Sequence, residues 1–306
     1  MNASATPTWG SERAVTKFLD LTLNGISTGA VYAAVALALV LIWRATRIIN
    51  FAQGAMLMIT TYIASSVITS TGSYWLGFVV ALVSGLILGA VTERVLIRPV
   101  ESAPPLNAVI VALGLYTFLI AVAGMIWGST PRSFPAAFSI RGYAIGGTRV
   151  LFSPNDSFIV LVVIAVALGL ALLFRATGLG LQMRAAAFQP EVARLLGVRV
   201  GRMFTLGWAL AAMAGAIAGV LVAPSVFLGP NNFDPILIIG FVAAVVGGLD
   251  SPPGAVIGGI VLGLALSYVS GYEGSALVPL AALVILVFVL MVRPTGLFST
   301  TQARRV

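Results

Sequence analysis

Cysteine and histidine are both absent from this 306-residue sequence, and charged residues make up only 8% of it. Without cysteine, neither a disulfide nor a thiolate metal site can form. Without histidine, the commonest metal ligand and the commonest general base are missing. Soluble domains carry about a quarter charged residues, so a chain this apolar could not cover a water-facing surface. These absences argue against a soluble enzyme, and we expect no metal site and no cofactor.

Long apolar runs take the place of charge, since 59% of the residues are hydrophobic. A membrane-spanning helix needs about 20 mostly apolar residues, and nine stretches approach this length. We predict one all-α transmembrane domain over 1–306, a polytopic membrane protein with eight or nine transmembrane segments. Several stretches are short, so some segments are expected to be broken or re-entrant. The nine stretches, of which the seventh is the doubtful one, are Leu21–Trp43, Ala55–Thr69, Trp75–Val91, Ala108–Trp127, Phe158–Phe174, Phe204–Val222, Ile236–Leu249, Ala255–Val269 and Ala276–Val292.

Basic residues gather in the gaps between these stretches, which argues for membrane orientation and against a nucleic-acid partner. The gap 175–202 holds five arginines and one acid, Glu191. Since arginines flanking membrane helices stay inside, we predict 175–202 to be a cytoplasmic loop. Counting spans outward puts the N-terminus and the loop 128–157 outside. It puts these further arginines inside: Arg44, Arg47, Arg94, Arg98, Arg293, Arg304 and Arg305.

Within this loop, residues 190–197 have the pattern of a short helix. Pro190 suits the first helical position, Glu191 suits the positive first turn, and Gly197 suits the residue just past the end. Val192, Leu195 and Leu196 fall on one face. Two turns of helix are not stable alone, so this helix must pack either on its own membrane domain or in a groove of a cytosolic partner.

A polar turn at Asn50–Gly54 interrupts the apolar pattern, and Gly247 and Gly248 begin a similar turn later in the chain. Such turns either cap neighbouring helices at the membrane edge or form part of a transport path, where broken helices expose polar backbone. The candidate path or gate residues are Asn50, Phe51, Gln53, Gly54, Gly247 and Gly248.

Pairs of glycines four residues apart recur along the apolar stretches. Small residues at this spacing share one helix face and let helices approach closely, either within the chain or at a subunit interface. The pairs are Gly25/Gly29, Gly85/Gly89, Gly215/Gly219, Gly254/Gly258 and Gly259/Gly263.

Acidic residues lie at segment edges or in loops, so the sequence predicts no carboxylate inside the membrane. Ion-coupled carriers usually place one there, and this absence disfavours an ion-coupled secondary carrier or channel, which stays as the alternative. The phosphate-binding loop G-x-x-x-x-G-K-[ST] is also missing, so ATP hydrolysis cannot reside on this chain.

Four motifs in order resemble the permeases of branched-chain amino acid ATP-binding-cassette importers, specifically the first, shorter permease of the pair. The match covers nearly the whole chain. The motifs are Asn24–Ala34 with Ile49–Gly54, Arg184–Ala186 with Glu191–Val198, Gly247–Ala255, and Arg293–Phe298.

The resemblance implies a permease subunit, not itself an enzyme, in a bacterial inner membrane. It would pair with a second homologous permease, two cytosolic ATPases and an extracytoplasmic binding protein, with some arginines meeting lipid headgroups. The residues implied to couple to the ATPase are Arg184, Glu191, Val192, Arg194, Leu195, Leu196 and Gly197. Two departures stand out: the family commonly has His where this chain has Gln53, and Gly where it has Arg44. Family members also carry urea, amides and aromatic acids, so the solute stays open.

Overall fold

The computed structural model describes residues 9–101, 103–145 and 148–298, which form a bundle of helices. The predicted arginines Arg304 and Arg305 lie outside this part of the chain. The helices are α1 Trp9–Thr46, α2 Gln53–Thr71, α3 Tyr74–Val91, α4 Pro105–Trp127, α5 Pro154–Ala176, α6 Gly178–Phe188, α7 Pro190–Leu195, α8 Val200–Val226, α9 Asp234–Gly247, α10 Pro252–Tyr272 and α11 Val278–Val292.

Smaller elements complete the described chain. A π-helical turn (Thr92–Ile97) and a 3-10 turn (Arg98–Val100) prolong α3, and a 3-10 turn (Ser275–Leu277) precedes α11. The strands β1 (Ala144–Ile145) and β2 (Thr148–Arg149) pair antiparallel in the loop after α4.

Eight of the described helices are long and apolar enough to cross a membrane, which confirms the all-α polytopic prediction. α1 and α8 form the centre, with 83% of the most apolar window of each buried, whereas that share is 11% in α11 and 17% in α4. The outer helices therefore expose most of their apolar surface, as lipid-facing or partner-facing helices do. The chain is a multi-pass membrane protein.

The doubtful seventh segment is the short helix α9. Its 14 residues span about 21 Å, less than the roughly 30 Å of bilayer hydrocarbon. α2 also begins inside the bundle, because Gln53 at its start contacts Ala211, 11 residues into α8. This depth is about 16 Å along α8 from its first residue. Of the described helices in the nine predicted stretches, α9 is thus the one too short to cross a membrane, whereas α2 is long enough to do so.

The glycine pairs are used for packing within the chain. A Cβ on Gly263 of α10 would lie 2.2 Å from the Cα of Gly29 on α1. A Cβ on Gly89 of α3 would lie 2.4 Å from the carbonyl oxygen of Trp208 on α8. Backbones in such contact leave no room for side chains, and this accounts for small residues at these positions. Of the two alternatives left open, the structure favours intramolecular packing.

The arginines predicted to share one side do so wherever they are described. Arg98 bonds to the backbone of Gly201 at the start of α8, and Arg47 pairs with Asp250 between α9 and α10. The segment after α11 joins them through the Leu297 amide, which donates to the Val246 carbonyl. We call this end of the bundle, with α6 and α7, the basic face. The loop 128–153 lies at the opposite end, where the backbones of Arg132 and Leu228 pair.

Candidate functional site: the polar turn and the basic face

The polar turn before α2 is buried and satisfies its own hydrogen bonds. Asn50 is 1% exposed and Gln53 is 0% exposed. The Asn50 side-chain oxygen accepts from the Ala52 amide at 3.0 Å, and its Nδ2 donates to Gln53 Oε1 at 3.2 Å. Gln53 Nε2 donates to the Ala211 carbonyl of α8 at 3.3 Å. Because buried amides are costly without partners, these bonds fix where the chain turns back and α2 begins.

The other candidate path residues are placed differently. Phe51, at the tip of the turn, is 40% exposed and is the member of the turn that faces outward. Gly54 packs on Leu237 of α9, ten residues before Gly247, so the two turns lie about 15 Å apart along α9. Gly247 packs against the backbone of Gly254, and Gly248 against Gly296. The structure therefore brings residues 50–54 together but separates them from Gly247 and Gly248.

The short helix in the basic loop is present as α7, with the predicted ends. Pro190 occupies its first turn, and Gly197 follows it with a φ of +82°, a backbone conformation that favours glycine. Ala193 is the buried residue of α7. Leu195 is 88% exposed and Leu196 is 78% exposed. The apolar face predicted from spacing thus lies open, and α7 rests on the bundle through a small alanine.

Gly197 ends α7, and the other six predicted coupling residues fall into three groups. Leu195 and Leu196 project from α7 into the open. Glu191, Val192 and Arg194 line a hollow of about 550 Å³ between α7 and the end of α3. Arg184 lies on α6 beside a different groove, with α1, α5 and α10. The sequence motif that joined Arg184 to the α7 residues therefore spans two separate surfaces.

An ion pair beneath α7 that contains a buried carboxylate was not identified from the sequence. Glu93, whose side chain is 2% exposed, pairs with Arg98 at 3.0 Å, and Thr205 of α8 donates to the same carboxylate at 2.6 Å. In an α-helix, residues five apart point about 140° away from each other. The π-helical turn brings them together, since the Arg98 amide bonds to the Glu93 carbonyl. A spacing of five residues does not predict a contact in an α-helix, so the sequence alone did not indicate that Glu93 and Arg98 pair.

This pair connects α7 to the centre of the bundle. Arg194 of α7 lies 3.8 Å from Glu101, three residues beyond Arg98. Arg98 donates to the Gly201 carbonyl and the Thr205 hydroxyl on α8. α8 in turn carries the carbonyl that holds Gln53. Polar contacts at both ends, joined by the backbone of α8, therefore connect α7 to the polar turn.

The expectation that acids keep to segment edges needs correction for Asp234. It is the first residue of α9. This helix ends on the basic face and has only 14 residues, so its first residue lies inside the bundle. The Tyr116 hydroxyl, at the middle of α4, donates to its carboxylate at 2.7 Å. Asp234 therefore lies within the span of α4. Among the described residues, no group of three or more acidic side chains could hold a metal ion.

Comparison with known proteins identifies the family. The model described as branched-chain amino acid transport system / permease component matches residues 21–293. The high-affinity branched-chain amino acid transport system permease protein LivH of Salmonella typhimurium is 32% identical over 305 residues, 94% of this chain and 98% of that protein. The corresponding permease protein BraD of Pseudomonas aeruginosa is 29% identical over 303 residues, with the same coverage.

A solved structure supports the fold. PsaBC from Streptococcus pneumoniae in complex with Fab matches with a TM-score of 0.50 and 14% identity, over 89% of this chain and 91% of that one. At this identity the likeness concerns the architecture alone. With a family model that matches most of its length and a relative above 30% identity, this chain belongs to the permease component family of branched-chain amino acid transport systems.

Proposed function

We propose that this chain is the membrane-spanning permease subunit of an ATP-binding-cassette importer in a bacterial inner membrane. It passes branched-chain amino acids, or a related small polar or amphipathic solute, delivered by an extracytoplasmic binding protein. A second homologous permease completes the path, and two cytosolic ATPases hydrolyse the ATP. The family and the functions for which the relatives are named support this assignment.

The observation that carries the proposal is the open apolar face of α7. A helix of six residues has no stability of its own, yet α7 leaves Leu195 and Leu196 almost fully exposed. Neighbouring apolar side chains that lie exposed mark sites where a protein partner or a membrane covers them. In the proposal 175–202 is cytoplasmic, and α7 docks in a groove of an ATPase subunit through these two leucines.

The polar turn is proposed to shape the path. Its amides are occupied within the fold, so Asn50 and Gln53 act by holding the turn in place, and Phe51 is the side chain that a passing solute or a gate would meet. Movement of α7 reaches this turn through Glu101, the Glu93 and Arg98 pair, and α8. Gly247 and Gly248 serve as a close-packed turn on the basic face.

The experiment compares Leu195→Asp with Leu195→Met in proteoliposomes that contain the partner permease, the ATPases and the binding protein. Aspartate introduces a charge into the docking face, so ATPase recovery in a pull-down and solute uptake should both fall more than tenfold. Methionine keeps the face apolar and should leave both unchanged. Undiminished ATPase recovery with the aspartate variant would contradict the docking role.

An ion-coupled carrier or channel remains the second candidate because Asp234 lies inside the bundle. The two candidates separate when ion gradients are collapsed at constant ATP. An importer driven by ATP continues uptake, whereas an ion-coupled carrier stops. Uptake by the permease pair alone, without any ATPase, would likewise favour the carrier or channel.

A further inference from the structure

A groove of about 530 Å³ runs along the side of the bundle between α1, α5 and α10. Its wall on α5 is an apolar stripe of Ile164, Leu168 and Ala171, which ends at Arg175. These residues follow one another at spacings of four, three and four, so they lie on one helix face. The 11 helical rises from Ile164 to Arg175 span about 16 Å, close to half of the roughly 30 Å hydrocarbon core. The groove is therefore about as long as one leaflet is deep.

Positive charge surrounds the mouth of this groove on the basic face. Arg44, Arg175 and Arg184 all line it. Within the described part of the chain, none of the three has a carboxylate at ion-pair distance, and the acid of the groove, Asp250, is already paired with Arg47. Arg44 instead lies over the ring of a phenylalanine of α5, at 5.3 Å from its centre. Three guanidinium groups and Arg47 thus share one carboxylate at the mouth, that of Asp250, which leaves a net positive charge there.

We propose that this groove is a binding site for one anionic phospholipid from the leaflet at the basic face. The phosphate and headgroup lie among the three arginines, and an acyl chain follows the stripe from Arg175 to Ile164. An occupant must be apolar along its length and negative at its end, and basic pockets between membrane helices bind anionic lipid headgroups. A second helix would cover the stripe but leave the arginines unpaired. The proposal does not depend on the transport function.

The test titrates the purified full-length protein in detergent with dioleoyl phosphatidylglycerol or dioleoyl phosphatidylcholine and counts bound lipids by native mass spectrometry. The wild type should prefer phosphatidylglycerol. Arg175→Gln with Arg184→Gln removes two charges from the mouth and should weaken this binding about thirtyfold. Phosphatidylcholine binding should not change.

The matched control is Arg199→Gln with Arg202→Gln, which removes two exposed arginines from the basic face outside the groove. It should change phosphatidylglycerol binding less than twofold. An equal loss in both double variants, or no lipid preference in the wild type, would overturn the site, because either result means general attraction between a basic surface and anionic lipid.

Two further variants test the apolar part. Ala171→Trp fills the groove without changing charge and should also displace the bound lipid; full retention would overturn the proposal. Leu168→Cys adds the one thiol of the chain, since the native sequence has no cysteine. Rapid disulfide dimerisation of this variant in membranes would put a second copy in the groove instead of a lipid, whereas a monomeric thiol agrees with the lipid site.

Discussion

The polar turn at Asn50–Gly54 and the helix α7 are both short segments predicted to be functional, but the key side chains are buried in the turn and exposed on α7. In the turn, polar side chains are buried and bonded within the chain. In α7, apolar side chains are exposed and touch little of the chain. The polar groups of the turn are occupied within the bundle, whereas α7 leaves its leucines open to the partner proposed above. A motif residue therefore acts either by positioning the fold or by recognition, and burial separates the two.

This comparison predicts different responses to substitution. Removing a bond from a buried polar group costs free energy of unfolding, while changes on an exposed surface usually cost little. The chain has no cysteine, so a thiol-reactive dye cannot report its unfolding. Thermal unfolding in detergent is instead followed by the intrinsic fluorescence of its five tryptophans. Three variants, ordered by the expected effect, test which residues stabilise the fold, as the polar turn does, and which lie on an exposed surface, as the leucines of α7 do.

Arg98→Ala should destabilise the protein most, by about 3 kcal/mol or more. It leaves the buried Glu93 carboxylate without its cation and removes the bonds to Gly201 and Thr205, and breaking a buried pair costs about 3–5 kcal/mol. Arg94→Ala, an exposed neighbour in the same turn, is the control and should leave the melting temperature unchanged. Equal melting temperatures of the two variants would mean that the Glu93 and Arg98 pair does not stabilise the fold.

Gln53→Leu should cost about 1–3 kcal/mol, since it removes the bond to Ala211 and leaves Asn50 Nδ2 with only the weak acceptor Met56 Sδ. Phe51→Leu changes the exposed residue of the same turn and should alter stability by less than about 0.5 kcal/mol. The measurement is the melting temperature of both variants beside the wild type. If Gln53→Leu melts with the wild type, then the turn is not held by its amides, and the contrast with α7 disappears.

Gly197→Ala should have the smallest effect, about 1 kcal/mol, because alanine disfavours the φ of +82° at the end of α7. No atom lies within 4 Å of the added Cβ, so backbone strain is the whole cost. We expect little change in melting temperature and about a fivefold loss in ATPase affinity. Gly197→Asn tolerates this φ better and should lose less; equal losses would indicate a side-chain contact instead of strain.

Local rules were sufficient for the elements they govern. Apolar length predicted the membrane helices, and the short seventh stretch was correctly identified as doubtful because α9 has only 14 residues. Pro190 and Gly197 predicted the ends of α7, since caps depend on residues next to each other. The Glu93 and Arg98 pair and the depth of Asp234 were missed. The first needs a π-helical turn, and the second depends on where a neighbouring helix starts.

The sequence by itself determined the membrane class, the helices, the basic side and the small residues that let helices touch, because each follows from composition or short spacing. Only the tertiary structure decided what those residues touch. In the structure the glycines pack against neighbouring helices, and Gln53 of the polar turn bonds to α8. The leucines of α7 are exposed, and Arg184 lies beside a lateral groove. Contacts between distant segments depend on how whole helices pack, and no local pattern contains that information.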